Sequence, residues 1–171
     1  PFCMTYVEGA NLRNYNPATV CDPDQIVDLM TIVAETLQHA HGRGVIHRDV
    51  KPENILIGIN ETDIQPFLTD FDLAWFSSAT QVTKVAGFGS HYYAAPEQMD
   101  TPTASATHLP TVDIYSFGQL CFYATCGRDP QAFNHDGNVR AFSDNLGAKW
   151  RDADASREFL SLYDLCTRYK P

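Results

Sequence analysis

Apolar residues recur at alternating intervals of four and three along Ile26, Met30, Val33, Leu37 and Ala40, so they line one face of a helix and mark it as core-facing. Asp22-Pro23 opens that helix, with a side-chain acceptor for the free amides and a proline suited to the first turn. Gly42 and Gly44 end the periodicity. Ile55-Leu56-Ile57 and Pro66-Phe67-Leu68-Thr69 are short β-type runs separated by polar Asn60-Glu61-Thr62-Asp63, which predicts a small hairpin with Asn54 and Asp70 close together at its base. Met99 to Pro110 is rich in threonine, alanine and proline and reads as an exposed loop. Val112 to Cys126 is apolar on most sides, as a helix through the centre of a lobe is, and Gly127-Arg128-Asp129-Pro130 ends it. Residues 131 to 150 carry only a weak period, giving loop with one short helix. Phe159, Leu160, Leu162, Tyr163, Leu165 and Cys166 predict a last amphipathic helix.

Composition adds a globular class: 44% hydrophobic and 19% charged residues supply one sizeable core, hence one domain. Twelve basic against twenty-one acidic residues leave a net charge of −9, which argues against a nucleic-acid surface and suits cationic peptide substrates. No apolar run reaches the eighteen or so residues of a membrane span, and no basic start precedes an apolar stretch. The five cysteines, Cys3, Cys21, Cys121, Cys126 and Cys166, form no C-x-x-C pair and read as reduced thiols. These features lead us to expect a cytoplasmic or nuclear protein.

The chemistry concentrates in His47-Arg48-Asp49-Val50-Lys51-Pro52-Glu53-Asn54, followed sixteen residues later by Asp70-Phe71-Asp72. Phosphoryl transfer from a metal-bound nucleotide needs a proton acceptor, a cation and oxygen ligands at such spacing. Asp49 supplies the base for an attacking hydroxyl, Lys51 a positive charge facing the moving phosphoryl group, and Asn54 with Asp70 the oxygens that suit magnesium. His39, His41 and His47 lack the further ligands of a recognised zinc spacing.

Together these residues resemble the catalytic loop and metal-binding segment of the protein kinase family. Gly89 to Glu97, with Ala95-Pro96-Glu97 at its end, is similar to the segment closing the family's activation loop, and Asp113-Ile114-Tyr115-Ser116-Phe117-Gly118 to the start of the central helix of its large lobe. Met4 to Leu12 resembles the hinge between lobes. The resemblance implies an α+β fold: a mainly helical C-terminal lobe with short β-hairpins at the catalytic cleft and no small N-terminal lobe. Residues 1–12 are then the last small-lobe strand and hinge, and 13–171 the large lobe. It also implies ATP and Mg2+ as cofactors and protein substrates with serine or threonine acceptors, the latter because Lys51 stands two residues after Asp49. By position, Met4, Thr5, Val7, Asn11, Glu53 and Leu56 fall to the nucleotide. His41 and His47 help to build the loop, and Asp113 accepts its backbone N–H groups. Glu97 has a structural role: in the family it pairs with an arginine near the end of the large lobe, which here is expected beyond Pro171 or is absent. Ser90, where relatives carry threonine, bonds near Asp49 and Lys51.

Two departures qualify this picture. The family's glycine-rich phosphate loop, strand lysine and helix glutamate do not lie in these 171 residues, so the chain reads as a fragment that by itself gives no useful catalysis. Asp72 stands where the family has a glycine that lets the segment pivot. That substitution keeps open a binding-only pseudokinase as the alternative; a small-molecule kinase is disfavoured by the Lys51-Pro52-Glu53 and Ala95-Pro96-Glu97 runs. Arg48 beside the base implies regulation by an activating kinase, with Ser77, Ser78, Thr80 and Thr83 as available acceptors.

Overall fold

The computed structural model describes residues 7–59, 64–77, 91–100 and 105–168. A short strand β1 (Gly9–Asn11) leads into two single-turn helices, α1 (Leu12–Tyr15) and α2 (Pro17–Val20), and then into α3 (Pro23–Gly42). Asp22 caps α3 by accepting from the Gln25 amide at 2.9 Å, and the Gln25 side chain accepts in return from the Asp22 amide at 3.0 Å. Two of the helix's orphan donors are thereby satisfied reciprocally. Its buried face holds Ile26, Met30, Val33 and Leu37 as expected, joined by Leu29, while Ala40 is only half-buried.

Beyond α3 the chain makes β2 (Val45–Ile46), the 3-10 turn Pro52–Asn54, the hairpin β3 (Ile55–Ile59) and β4 (Ile64–Leu68), and β5 (Trp75–Phe76). β1, β3 and β4 form one antiparallel sheet in that order, and β2 pairs with β5. Gly9 is required where β1 meets β3, since a Cβ there would lie 1.9 Å from the Ile57 carbonyl oxygen. From Gly9 onward, the stretch expected as hinge is an edge strand of the sheet that carries the Pro52–Asn54 turn.

The helical part comprises α4 (Pro96–Asp100), a 3-10 turn Ser105–His108, α5 (Thr111–Cys126), α6 (His135–Lys149) and α7 (Ala153–Thr167). α5 is buried over most of its circumference and stops at Gly127, whose φ of 69° is the left-handed conformation glycine adopts without strain. It touches α3, α6 and α7, with Phe122, Phe142, Phe159 and Tyr163 forming an aromatic cluster at centroid distances of 4.8 to 5.9 Å. At Gly118 the approach of α7 is close enough that a Cβ would meet Thr167 Cγ2 at 2.6 Å and Cys166 Cβ at 2.8 Å.

Two expectations need correction, and the expected last helix forms as α7 with a narrower core face. Residues 131 to 150 contain a fifteen-residue helix, α6, not a short one. Its buried stripe is Asn138, Phe142 and Leu146, spaced by four, and the polar member hides the period: the Asn138 amide is spent on the Gln131 backbone N–H and carbonyl, at 2.8 Å each. Met99 to Pro110 is not simply an exposed loop, because Met99 lies in α4 and Thr107, in the 3-10 turn, is fully buried. In α7 the core face is Phe159, Tyr163 and Thr167, whereas Leu162 and Leu165 are exposed. Among the described residues no helix is long and apolar enough to cross a membrane.

Candidate active site

The turn at Gly44 (φ 71°) and the β2–β5 pair deliver the chain to His47, and Asp113 in the first turn of α5 fixes the backbone from there. Asp113 is fully buried; its Oδ2 accepts from the His47 N–H at 2.8 Å and from His41 Nε2 at 2.7 Å, and its Oδ1 from the Arg48 N–H at 2.7 Å. Three donors offset the cost of burying a carboxylate. They also hold Arg48 at φ 69°, a region that L side chains rarely adopt. Gln98 completes the clamp, donating to the Arg48 carbonyl at 3.0 Å while its Oε1 accepts from the Ala95 N–H at 3.0 Å.

His47 is fully buried, and both ring nitrogens are assigned by their partners: Nε2–H donates to the Thr69 carbonyl at 2.9 Å, and Nδ1 accepts the Asp49 N–H at 3.3 Å. Burial pulls its pKa below the ordinary histidine value, against the bond to Thr69 and the nearby carboxylates of Asp113, Asp49 and Asp70. The neutral ring lies edge-on to Phe71, with centroids 4.7 Å apart.

Asp49 is nine-tenths buried, and its Oδ2 accepts from Lys51 Nζ at 2.7 Å and from Asn54 Nδ2 at 3.0 Å. Asn54 Nδ2 also donates to the Asp49 carbonyl at 2.8 Å. Both partners are acceptors, which assigns the amide nitrogen to Asp49 and leaves Oδ1 as the atom a cation can use. The hairpin brings Asp70 to the same end: Ile55 pairs with Leu68, and the Thr69 N–H and hydroxyl both donate to the Asn54 carbonyl, at 2.9 and 3.1 Å. Asp70 then turns outward, exposed and at φ 62°. An amide oxygen and an exposed carboxylate at one strand end are a donor set that fits magnesium. Asp72 lies between Phe71 and Ala74, whose N–H donates to the Phe71 carbonyl at 3.0 Å; it is exposed and outside the left-handed region, so this conformation does not require glycine there.

Of the nucleotide candidates, Asn11 and Leu56 are register partners across β1 and β3. Ile55 and Ile57 enter the core, so strand alternation puts Leu56 on the opposite face. Val7 packs on that sheet near Gly58. Asn11 Oδ1 accepts from the Asn14 N–H at 2.9 Å as the cap of α1, a role its sequence position does not reveal. Glu53, expected at the cofactor, instead has its carboxylate paired with Arg13 Nε at 2.7 Å. Met4, Thr5, Ser78, Thr80, Thr83 and Ser90 lie outside the described residues. Ser77 is exposed and donates its N–H to the Gly44 carbonyl at 2.9 Å. Glu97 lies in the first turn of α4. Among the described residues Arg48 Nε is buried without a hydrogen-bond partner.

Sequence reasoning missed Arg13, Gln98 and Asp129. Arg13 bridges Glu53 and Asp129, the latter at 2.7 Å, and Asp129 accepts in addition from the Tyr93 hydroxyl at 2.7 Å. Asp129 carried a signal only as part of a helix-ending turn. The other two carried none, since their partners are 40, 116 and 50 residues away.

The chain is similar to the probable serine/threonine-protein kinase PknB of Lactococcus lactis, 33% identical over 129 residues that cover 74% of this chain and 20% of that protein. It is similar also to the serine/threonine-protein kinase PkaA of Streptomyces coelicolor, 30% identical over 98% of this chain and 30% of the relative, and to Aurora kinase A-A of Xenopus laevis, 31% identical over 74% and 29%. The chain thus spans no more than about a third of these relatives. The family model described as the protein kinase domain matches residues 1–171. A match of that extent, over a loop in which lysine and asparagine converge on one buried aspartate, makes this chain a member of the protein kinase family.

Proposed function

We propose that the protein carrying this chain transfers the terminal phosphoryl group of ATP to serine or threonine hydroxyls of protein substrates. The observation that carries this reading is the convergence of Lys51 Nζ and Asn54 Nδ2 on Asp49 Oδ2, with Asp70 brought to the same strand end by the β3–β4 hairpin. Asp49 accepts the proton of the attacking hydroxyl. Lys51, bonded to Asp49, would face the charge on the transferring group, and Asn54 Oδ1 and Asp70 would hold magnesium. The metal, when bound, supplies charge neutralisation between the phosphates. His47, neutral and immobilised, keeps the Asp49 backbone in place, and Leu56 and Val7 offer apolar contact to the base.

Arg48 extends the proposal to regulation. A buried guanidinium nitrogen without a partner suits a phosphate placed by an activating kinase on Ser77, Ser78, Thr80 or Thr83, an anion that would supply the missing acceptor. Asp72 is unstrained in this conformation, so the binding-only alternative rests on its effect on the pivot and on the charge beside the metal. The 171 residues alone are expected to transfer phosphate far more slowly than the whole protein, since this chemistry rests on positioning by groups that the family's small lobe supplies.

The test is incubation of the full-length protein with ATP labelled at the terminal phosphate, Mg2+ and a mixed protein substrate, with phosphorylated residues identified by mass spectrometry. Label on serine and threonine, lost on chelation of magnesium, is the expected result. Absence of transfer at every phosphorylation state of Ser77, Ser78, Thr80 and Thr83 would contradict the proposal.

A further inference from the structure

Arg13 projects from α1 onto the edge of the catalytic turn, where its guanidinium is held on three sides. Nε donates to Glu53, Nη1 to Asp129, and the group lies 4.7 Å from the centroid of the Tyr123 ring. The Tyr123 hydroxyl donates to the Arg13 carbonyl at 2.9 Å, which fixes the backbone from which the side chain departs. Burial works against the charge, yet the bonds to Glu53 and Asp129 raise the guanidinium pKa above its ordinary value. This is a complete receptor for a guanidinium: two carboxylates, one aromatic face and a tyrosine hydroxyl that orients one of the acids.

Its location gives the receptor a consequence. Glu53 sits between Lys51 and Asn54, the two residues bonded to Asp49, so the receptor borders the proposed catalytic base. Tyr93 belongs to the segment that leads into α4. The site is also open to solvent: the side chains of Arg13, Glu53 and Asp129 are 29%, 41% and 33% exposed. A peptide laid across this edge meets two carboxylates already bonded to Arg13, with one negative charge left between the three groups.

We propose that Arg13 is a specificity-determining residue, a built-in occupant of a guanidinium site, and that its presence leaves the enzyme without a strong preference for arginine near the acceptor hydroxyl. The proposal rests on the phosphoryl-transfer reading. Overall acidity alone favours cationic peptides; the pairing of Glu53 and Asp129 with Arg13 weakens that attraction at this edge. An arginine-bearing substrate gains nothing unless it displaces Arg13.

The experiment compares wild type with Arg13→Gln in the full-length protein, using peptides that differ only in arginine or glutamine at each position flanking the acceptor. Wild type is expected to show less than about threefold preference for arginine in kcat/KM. R13Q is expected to favour arginine at one or two positions by roughly tenfold or more, carried by KM, as a vacant pair of carboxylates offering charge-assisted bonds implies. Adding Asp129→Asn should abolish most of that gain. Peptide binding measured by fluorescence anisotropy gives the same comparison without catalysis, so an enzyme that transfers no phosphate refutes the phosphoryl-transfer reading while the arginine site is still tested. Should R13Q fail to fold, Arg13→Lys, which keeps the charge but cannot bridge two acids as a fork, must show a smaller gain of the same sign. A folded variant with no gain for arginine in either assay overturns the proposal, as does a wild type that already prefers arginine tenfold.

Discussion

Asp113 concentrates the energetics of the loop in one side chain. It closes three hydrogen bonds from zero exposure, two of them to backbone N–H groups that have no water to turn to. Asp113→Ala should cost about 3–5 kcal/mol, read as a fall in the denaturant midpoint, because it strands buried donors beside a left-handed Arg48. A loss below about 1 kcal/mol would mean that the clamp is not what shapes the loop. His47 makes a prediction in pH. Burial holds its folded pKa below the ordinary value of 6.5, so the unfolded chain takes a proton that the folded chain refuses. Stability should therefore fall as pH drops below about 6.5 and level off only where His47 protonates in the fold. His108, lowered by burial and by Arg48, contributes with the same sign. His47→Asn should flatten the slope between pH 7 and pH 5; an unchanged slope would assign it to other groups.

Elements were legible in the sequence to the degree that their buried faces are apolar. α3 shows its period, and the Asp22-Pro23 start was visible even though the returning Gln25 bond was not. α5 was legible as a buried rod. α6 was not, because one of its three buried positions is an asparagine serving the preceding loop and two of its residues are glycines. The exposed Leu162 and Leu165 show the opposite failure, apolar residues that the pattern counts as core. Packing between elements is invisible at that level, and Gly118 illustrates it. Gly118→Ala should destabilise by about 1–3 kcal/mol although alanine favours helix, since its methyl must displace Thr167 and Cys166 of α7. Stabilisation by that substitution would show that α5 and α7 can part at no cost. Phe142→Ala, in the aromatic cluster that joins α5, α6 and α7, should cost about 3–5 kcal/mol by the same measurement.

At the scale of the molecule, the sheet β1–β3–β4 brings Asn54 and Asp70 to one strand end, and α5 anchors His47 and Arg48 through Asp113. The motif residues were readable because their order and spacing match the family's pattern; the residues that brace them were not, because Arg13, Gln98 and Asp129 act across long separations in the chain. The whole arrangement converges on one carboxylate, and its role can be isolated. Asp49→Asn preserves shape while removing the proposed proton acceptor, so the full-length variant is expected to match wild type in affinity for ATP with Mg2+. It should transfer phosphate at least about 100-fold more slowly, with the deficit in kcat. Phosphate transfer by D49N at the wild-type kcat, with nucleotide affinity unchanged, would contradict the account at its centre.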